Sequence, residues 1–258
     1  MKDINLVVQL TKQQLASRHA GSFLGVFWLL IQPLAMIVVY AFVFSGILGL
    51  KWPNQTSSDM LTFALGVMCG MLVFGFVSEV AIKASTSILA NPNFVKKVQF
   101  PLHILVMSHW LTSLVLMLVS LLILVLGLMV AGIQPNISLL YLPIILLPVV
   151  LFMLGVAWIV AGLSVYLRDI VQVLPPLMTM LMFLSPIFYS LSIVPDHLQQ
   201  VVLMNPLTWH IESLRNLLMS DELPSLLSYC IWMAFALLLN WVGFKLFQKL
   251  KKGFSDVI

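Results

Sequence analysis

The chain has 258 residues, of which 61% are apolar or aromatic and 9% carry charge, with a mean hydropathy of +1.08. Soluble domains carry roughly 25% charged residues and can hide only part of their apolar surface. This composition therefore excludes a water-soluble enzyme, a nucleic-acid binder, a coiled coil and a disordered chain, and it identifies a bilayer as the solvent; the net charge of +4 is read by its position along the chain.

In chain order, Asp3 to Arg18 repeats apolar residues at Ile4, Val7, Val8 and Leu15, with Lys12 and Arg18 elsewhere. That pattern predicts a short amphipathic helix on the inner membrane face, either an anchor or a docking element for a partner. Its glutamines and basic residues do not fit a secretory signal. A spanning helix needs about 20 apolar residues, and six runs qualify: Phe27 to Gly49, Leu61 to Ile82, Leu102 to Ala131, Leu139 to Leu167, Ile170 to Tyr189 and Leu226 to Phe247. The fifth is the shortest and holds Pro175, Pro176 and Pro186. No run alternates with period two, so these are helices and not strands of a barrel.

With the N-terminus inside, eleven of the thirteen basic residues fall on the inner side and only Lys51 and Arg215 on the outer. This is a strong positive-inside bias, and a missed or extra span would scramble it. Between spans two and three, Lys83 to Pro101 forms an inner loop with a turn at Asn91-Pro92-Asn93 and then aromatics mixed with lysines. Tyr166 to Ile170 is a tight inner turn. The outer segment 190–224 reads as two short helices, the first opened by Pro195-Asp196 and the second begun at Asn205-Pro206, where Asn205 can cap and Pro206 takes the first position. In the second, Leu207, Ile211, Leu214 and Leu218 share one face, while Glu212 and Arg215 are spaced to pair. The expected fold is all-α and polytopic: an N-terminal interface helix, six transmembrane helices and two short outer re-entrant helices, in one domain covering 1–258.

Motifs of chemistry are missing. The five histidines make no metal-binding spacing, Cys69 and Cys230 lie in apolar runs, and there is neither a nucleophile elbow nor a phosphate-binding loop. Glu79 sits near the inner end of span two, and no acidic or basic residue lies at mid-depth, unlike ion-coupled transporters; His109 in span three is the one residue that could serve an intramembrane enzyme, and beside Trp110 it is expected to hydrogen-bond a neighbouring helix instead. The reading that remains is a membrane path without its own engine. Aromatics such as Trp28, Tyr40 and Phe42 in span one suit stacking on sugars, with Gln32 as a polar partner.

Taken together and in order, several stretches resemble the permease subunit of bacterial ABC exporters for lipid-linked polysaccharides, nearest the O-antigen branch. They are Ser22 to Trp28 with Gln32-Pro33-Leu34, the loop Ala90-Asn91-Pro92 through Lys96 to Pro101, Tyr166 to Ile170, Ser185 to Tyr189, Asn205-Pro206-Leu207 with Arg215, and Lys249 to Ser255. His19 departs from the pattern, where an aromatic is expected after the arginine. The resemblance implies a homodimer of permeases carrying two separate ATPase subunits, which bind ATP and magnesium, so that this chain holds no cofactor and is not itself an enzyme. It implies an inner-membrane protein with both termini cytoplasmic and an undecaprenyl-diphosphate-linked polysaccharide as cargo. Residues 1–26 would form the interface helix, 83–101 the coupling loop with Asn91, Pro92, Phe94, Lys96 and Lys97, and 190–224 the periplasmic helices. Arg18 and Lys97 would attract the pyrophosphate, and Trp28, Gln32, Tyr40 and Phe42 would line the path. Alternatives are a permease of the same architecture for a drug, lipid or haem-like cargo, and a membrane-embedded transferase or hydrolase, for which no catalytic constellation is present.

Overall fold

The long uncharged runs are helical because, in lipid, a backbone N–H or C=O finds no partner outside its own helix. The computed structural model describes residues 2–18, 21–47, 49, 52, 60–96, 100–133 and 136–257, and no β-strand occurs among them. Helix α1 covers Lys2–Arg18, α2 Trp28–Tyr40 with a π-helical continuation over Ala41–Ile47, α3 Met60–Ser87, α4 Pro92–Val95 and α5 His103–Val130. A 3-10 turn at Ile137–Tyr141 leads into α6, Leu142–Tyr166. Then follow α7 Asp169–Leu184, α8 Asp196–Met204, α9 Pro206–Ser220, α10 Leu226–Leu250 and α11 Phe254–Val257.

Among the described residues, five segments are long and apolar enough to cross a membrane: Trp28–Ile47, Met60–Ser87, His103–Val130, Ile137–Tyr166 and Leu226–Gly253. Large apolar side chains such as Leu122, Val173, Phe183, Leu226 and Trp241 face outward, as they do in an integral membrane protein. The expected fifth of six spans is shorter than the sequence suggests. It is helical only as the 16 residues of α7, about 24 Å against a hydrocarbon layer of about 30 Å. The helix stops where Ser185 turns extended ahead of Pro186, the conformation a residue before proline prefers. In contrast, α3 runs past Ile82 to Ser87, so the inner loop expected from Lys83 begins a turn later than the hydropathy indicates.

Helix α3 is buried along most of its length and touches α2, α5, α6, α7 and α9. Helices α6 and α10 make the tightest pair. Gly155 packs against the backbone of Leu239 and Asn240, and Gly243 against that of Gly155. Three polar links stitch them at successive levels: Tyr229 donates to the Ile144 carbonyl at 3.3 Å, Asn240 to that of Leu151 at 3.3 Å, and Tyr166 to that of Leu250 at 2.8 Å. Both sets of numbers rise together, so α6 and α10 run parallel, and the chain between them returns from one end of the bundle to the other.

The docked side of α1 is Val7, Thr11 and Gln14, one stripe at i, i+4 and i+7. Thr11 is buried, whereas Ile4 and Val8 face outward. Gln14 donates to the Ser108 hydroxyl at 2.9 Å and accepts from Thr112 at 2.8 Å, and Thr11 reaches the Ser108 carbonyl at 3.4 Å. The helix is therefore held on α5 by hydrogen bonds as well as by burial of Val7. Gln14→Ala removes two of them, and a local loosening of about 1–2 kcal/mol is expected. Faster amide exchange across residues 7–15, with an unchanged melting midpoint for the bundle, is the readout; unchanged exchange would contradict this account of the contact.

In the segment between α7 and α10 the capping chemistry is as the sequence suggests. The Asn205 side chain accepts from the Leu207 N–H at 2.9 Å, Pro206 opens α9, and Leu207, Ile211, Leu214 and Leu218 are all buried.

Candidate functional site

Two constructions stand out, one towards each end of α3. The first is built on Arg215 of α9, which is only 6% exposed. Its NH1 group bonds Glu212 at 2.6 Å, its Nε the Gly66 carbonyl at 3.2 Å, and its NH2 group the carbonyls of Pro186 and Ile187 at 2.8 and 3.2 Å. The guanidinium lies 4.2 Å from the centre of the Trp52 ring, which itself donates to the Phe63 carbonyl. Gly66 and Gly70 leave room for this approach: a Cβ at Gly70 would sit 3.3 Å from the guanidinium, and one at Gly66 would collide with the Trp52 ring. Burial pushes the Glu212 carboxyl up and the Arg215 charge pulls it back. One arginine thus ties α9 to α3 and to the turn after α7. Beside it, burial lowers His210 to about 4, with its hydrogen bond to the Pro206 carbonyl opposing. The neutral ring donates from Nδ1 to that carbonyl at 2.8 Å and packs on Phe152, Trp209 and Trp232.

The second construction is a cavity of about 220 Å³ between α2, α3 and α5. Because α1 is bonded to α5, its last residue, Arg18, is delivered to Glu79 of α3, and the two form an ion pair that lines the cavity. Both side chains are part-exposed, 35% for Arg18 and 21% for Glu79. The walls above carry four methionines, Met36, Met68, Met71 and Met117, beside Leu29, Leu72, Leu116 and Phe76, with Gln32, Tyr40, Ser113 and Ser120 adding polar groups. From Glu79 to Met68 is eleven residues of α3, or about 16 Å of depth. Gly75 also lines the space, and a Cβ there would meet nothing within 4 Å.

The residues singled out in the sequence divide accordingly. Arg18, Gln32 and Tyr40 come together on the cavity. Trp28 and Phe42 lie on the outward side of the same segment, 40% and 62% exposed. In the loop, the Asn91 amide donates to the Ser87 carbonyl at 2.9 Å, Pro92 opens α4, and Phe94 packs on Phe100 with ring centres 4.3 Å apart. Lys96 is exposed. Lys97, His19 and Lys51 lie outside the described residues. Glu79 was noticed in the sequence without its partner: the pair joins residues 61 apart, and the available signal was that both fall at the inner end of the bundle. No group of three or more His, Cys, Asp or Glu able to hold a metal occurs among the described residues.

A helical bundle in which five of the described segments are long and apolar enough to cross a membrane defines an integral membrane protein. The chain belongs to the ABC-2 type transporter family, whose model matches residues 5–219. It is also similar to three curated proteins described as O-antigen export system permease protein RfbA, two from Klebsiella pneumoniae and one from Myxococcus xanthus. Each is 26% identical over 255 or 256 residues, covering 98% of this chain and 95% of the relative.

Proposed function

We propose that this chain is the membrane-spanning subunit of an ATP-driven exporter that moves lipid-linked polysaccharide of the O-antigen type across a bacterial inner membrane. The observation that carries this reading is the likeness to O-antigen export permeases along nearly the whole chain. In this reading residues 1–258 form one permease domain that pairs with a second copy and with two ABC ATPase subunits. Those subunits bind ATP and magnesium, and this chain carries no cofactor. Both termini face the cytoplasm, in keeping with the placement of eleven of thirteen basic residues.

Helix α7 with the turn after it is the fifth of six spans. The parallel course of α6 and α10 supports this, because the chain between them must recross the layer. Residues 190–224 are periplasmic, with α8 and α9 dipping into the outer leaflet. In support, Arg215 bonds α3 at Gly66, six residues or about 9 Å in from its start. Residues 1–26 and the loop 83–101, with Asn91, Pro92, Phe94, Lys96 and Lys97, face the ATPase. Arg18 and Lys97 draw the diphosphate of an undecaprenyl-linked polymer, and Gln32, Tyr40, Trp28 and Phe42 border the path.

Deleting the gene is expected to leave finished polymer inside the cell, and the tagged chain is expected to co-purify with an ATPase. Normal surface polymer in the deletion strain would overturn export of this cargo, while a drug or lipid accumulating in its place would point to the other cargo class. Phe94→Ala removes the aromatic contact with Phe100 that stiffens the loop. Export should fall about tenfold, equivalent to 1.4 kcal/mol of lost coupling, with the ATPase still bound. Undiminished export would remove this loop from the coupling role.

A further inference from the structure

The Arg18–Glu79 pair raises a question that the anion reading of Arg18 leaves open. A cation awaiting a diphosphate is here already neutralised by a carboxylate. The pair is part-exposed, so a partner is held but water and ligands can reach it. Above it the cavity is lined by flexible, polarisable methionines that adapt to irregular apolar shapes. It rises about 16 Å from the pair towards mid-membrane and is widened by the missing side chain of Gly75. An ionic group at the mouth with an apolar shaft beyond is the shape of a single-chain lipid with a charged head.

From this juxtaposition we infer that the cavity binds the diphosphate-proximal part of one isoprenoid chain, and that Glu79 is a gate which the diphosphate displaces from Arg18. The inference rests on the diphosphate reading of Arg18 given above. Two anions compete for one guanidinium, which can take either in bidentate fashion. A dianionic or trianionic diphosphate outbids a single carboxylate, whereas a neutral lipid or a monoanion with a diffuse head does so less well. Lys83, one turn along the same face of α3, is the cation on hand for the released Glu79. Glu79 thereby sets specificity: it keeps Arg18 from anionic phospholipids that surround the protein in large excess, and it yields to the more highly charged headgroup.

The test uses the full chain, purified in detergent with its ATPase, and three probes: farnesyl diphosphate, inorganic diphosphate and, delivered in the detergent, farnesol. Binding is read as ligand-dependent thermal shift. Glu79→Gln keeps the shape and removes the competitor, so farnesyl diphosphate should bind about fivefold more tightly, the size of one part-exposed ion pair. Arg18→Gln should weaken it by a similar factor, and the double variant should match Arg18→Gln alone. Gly75→Leu places a side chain in the shaft, starting from a Cβ that meets nothing within 4 Å. It should weaken farnesyl diphosphate and farnesol while leaving inorganic diphosphate unchanged.

If Glu79→Gln binds no more tightly while Arg18→Gln binds less, the gate is wrong and the diphosphate reading stands. If neither variant changes the affinity, the diphosphate reading of Arg18 falls with it. If Gly75→Leu leaves farnesyl diphosphate unaffected, the chain does not enter this cavity.

Discussion

Arg215→Met is expected to lower the unfolding free energy by about 3–5 kcal/mol, because removing one member of a buried ion pair strands the other. At roughly 2–4 °C per kcal/mol for a chain of this size, the melting midpoint in detergent should fall by about 6–20 °C. The loss has several parts in one place. Glu212 loses its only ion-pair partner among the described residues, and the carbonyls of Gly66, Pro186 and Ile187 lose their donor. Trp52 loses the cation over its ring. Arg215→Lys retains the charge, but its single ammonium cannot serve a fork of four acceptors on three elements, so it should recover only part of the loss. The double variant Arg215→Met with Glu212→Leu should recover more, since replacing both partners by apolar groups removes the stranded charge. A midpoint unchanged in Arg215→Met would show that the arginine does not hold α9 in place.

Gly155→Leu is expected to be comparably damaging through a different cause. A Cβ at Gly155 would lie 2.7 Å from the Asn240 nitrogen and 2.8 Å from the Leu239 carbonyl carbon, and one at Gly243 would lie 2.5 Å from the Gly155 oxygen. These are backbone atoms of a paired helix, so no rotamer change relieves them and the two helices must separate. Overpacking of this kind costs about 3 kcal/mol, at the upper end of its usual range. Separation also lengthens the bonds from Tyr229, Asn240 and Tyr166 to the facing carbonyls. Loss of folded protein on size exclusion checks the expectation. Gly75→Ala is the control, because its Cβ meets open space and alanine favours the helix by about 1 kcal/mol. Equal stability of Gly155→Leu and wild type would refute the close approach.

What could be read from the chain alone follows the range of the interactions. Hydropathy locates the long helices, and local chemistry locates α8 and α9, because a cap such as Asn205-Pro206 and a face such as Leu207–Leu218 involve residues within three turns. The Glu212–Arg215 pair was also legible from its spacing, but its burial was not. An i, i+3 pair ordinarily sits on a surface; here Gly66, Trp52 and the Pro186 turn, all distant in sequence, close around it. The same reason hides the Arg18–Glu79 pair. The length of α7 was overestimated because hydropathy continues through Ser185–Tyr189, where the backbone has already left the helix. The contact of α1 with α5 was not legible, because Thr11 and Gln14 find their partners on α5 nearly a hundred positions away.

Helix α3 has a mechanical meaning as well as a structural one. It contains no proline, and from Ser87, beside the turn into α4, to Gly66, held by Arg215, it spans 21 residues without a break, or about 31 Å. Such an element is stiff along its axis: a displacement of its Ser87 end would be carried to the α9 clamp with little lost to bending, and the two ends would keep step without any relay of intermediate side chains.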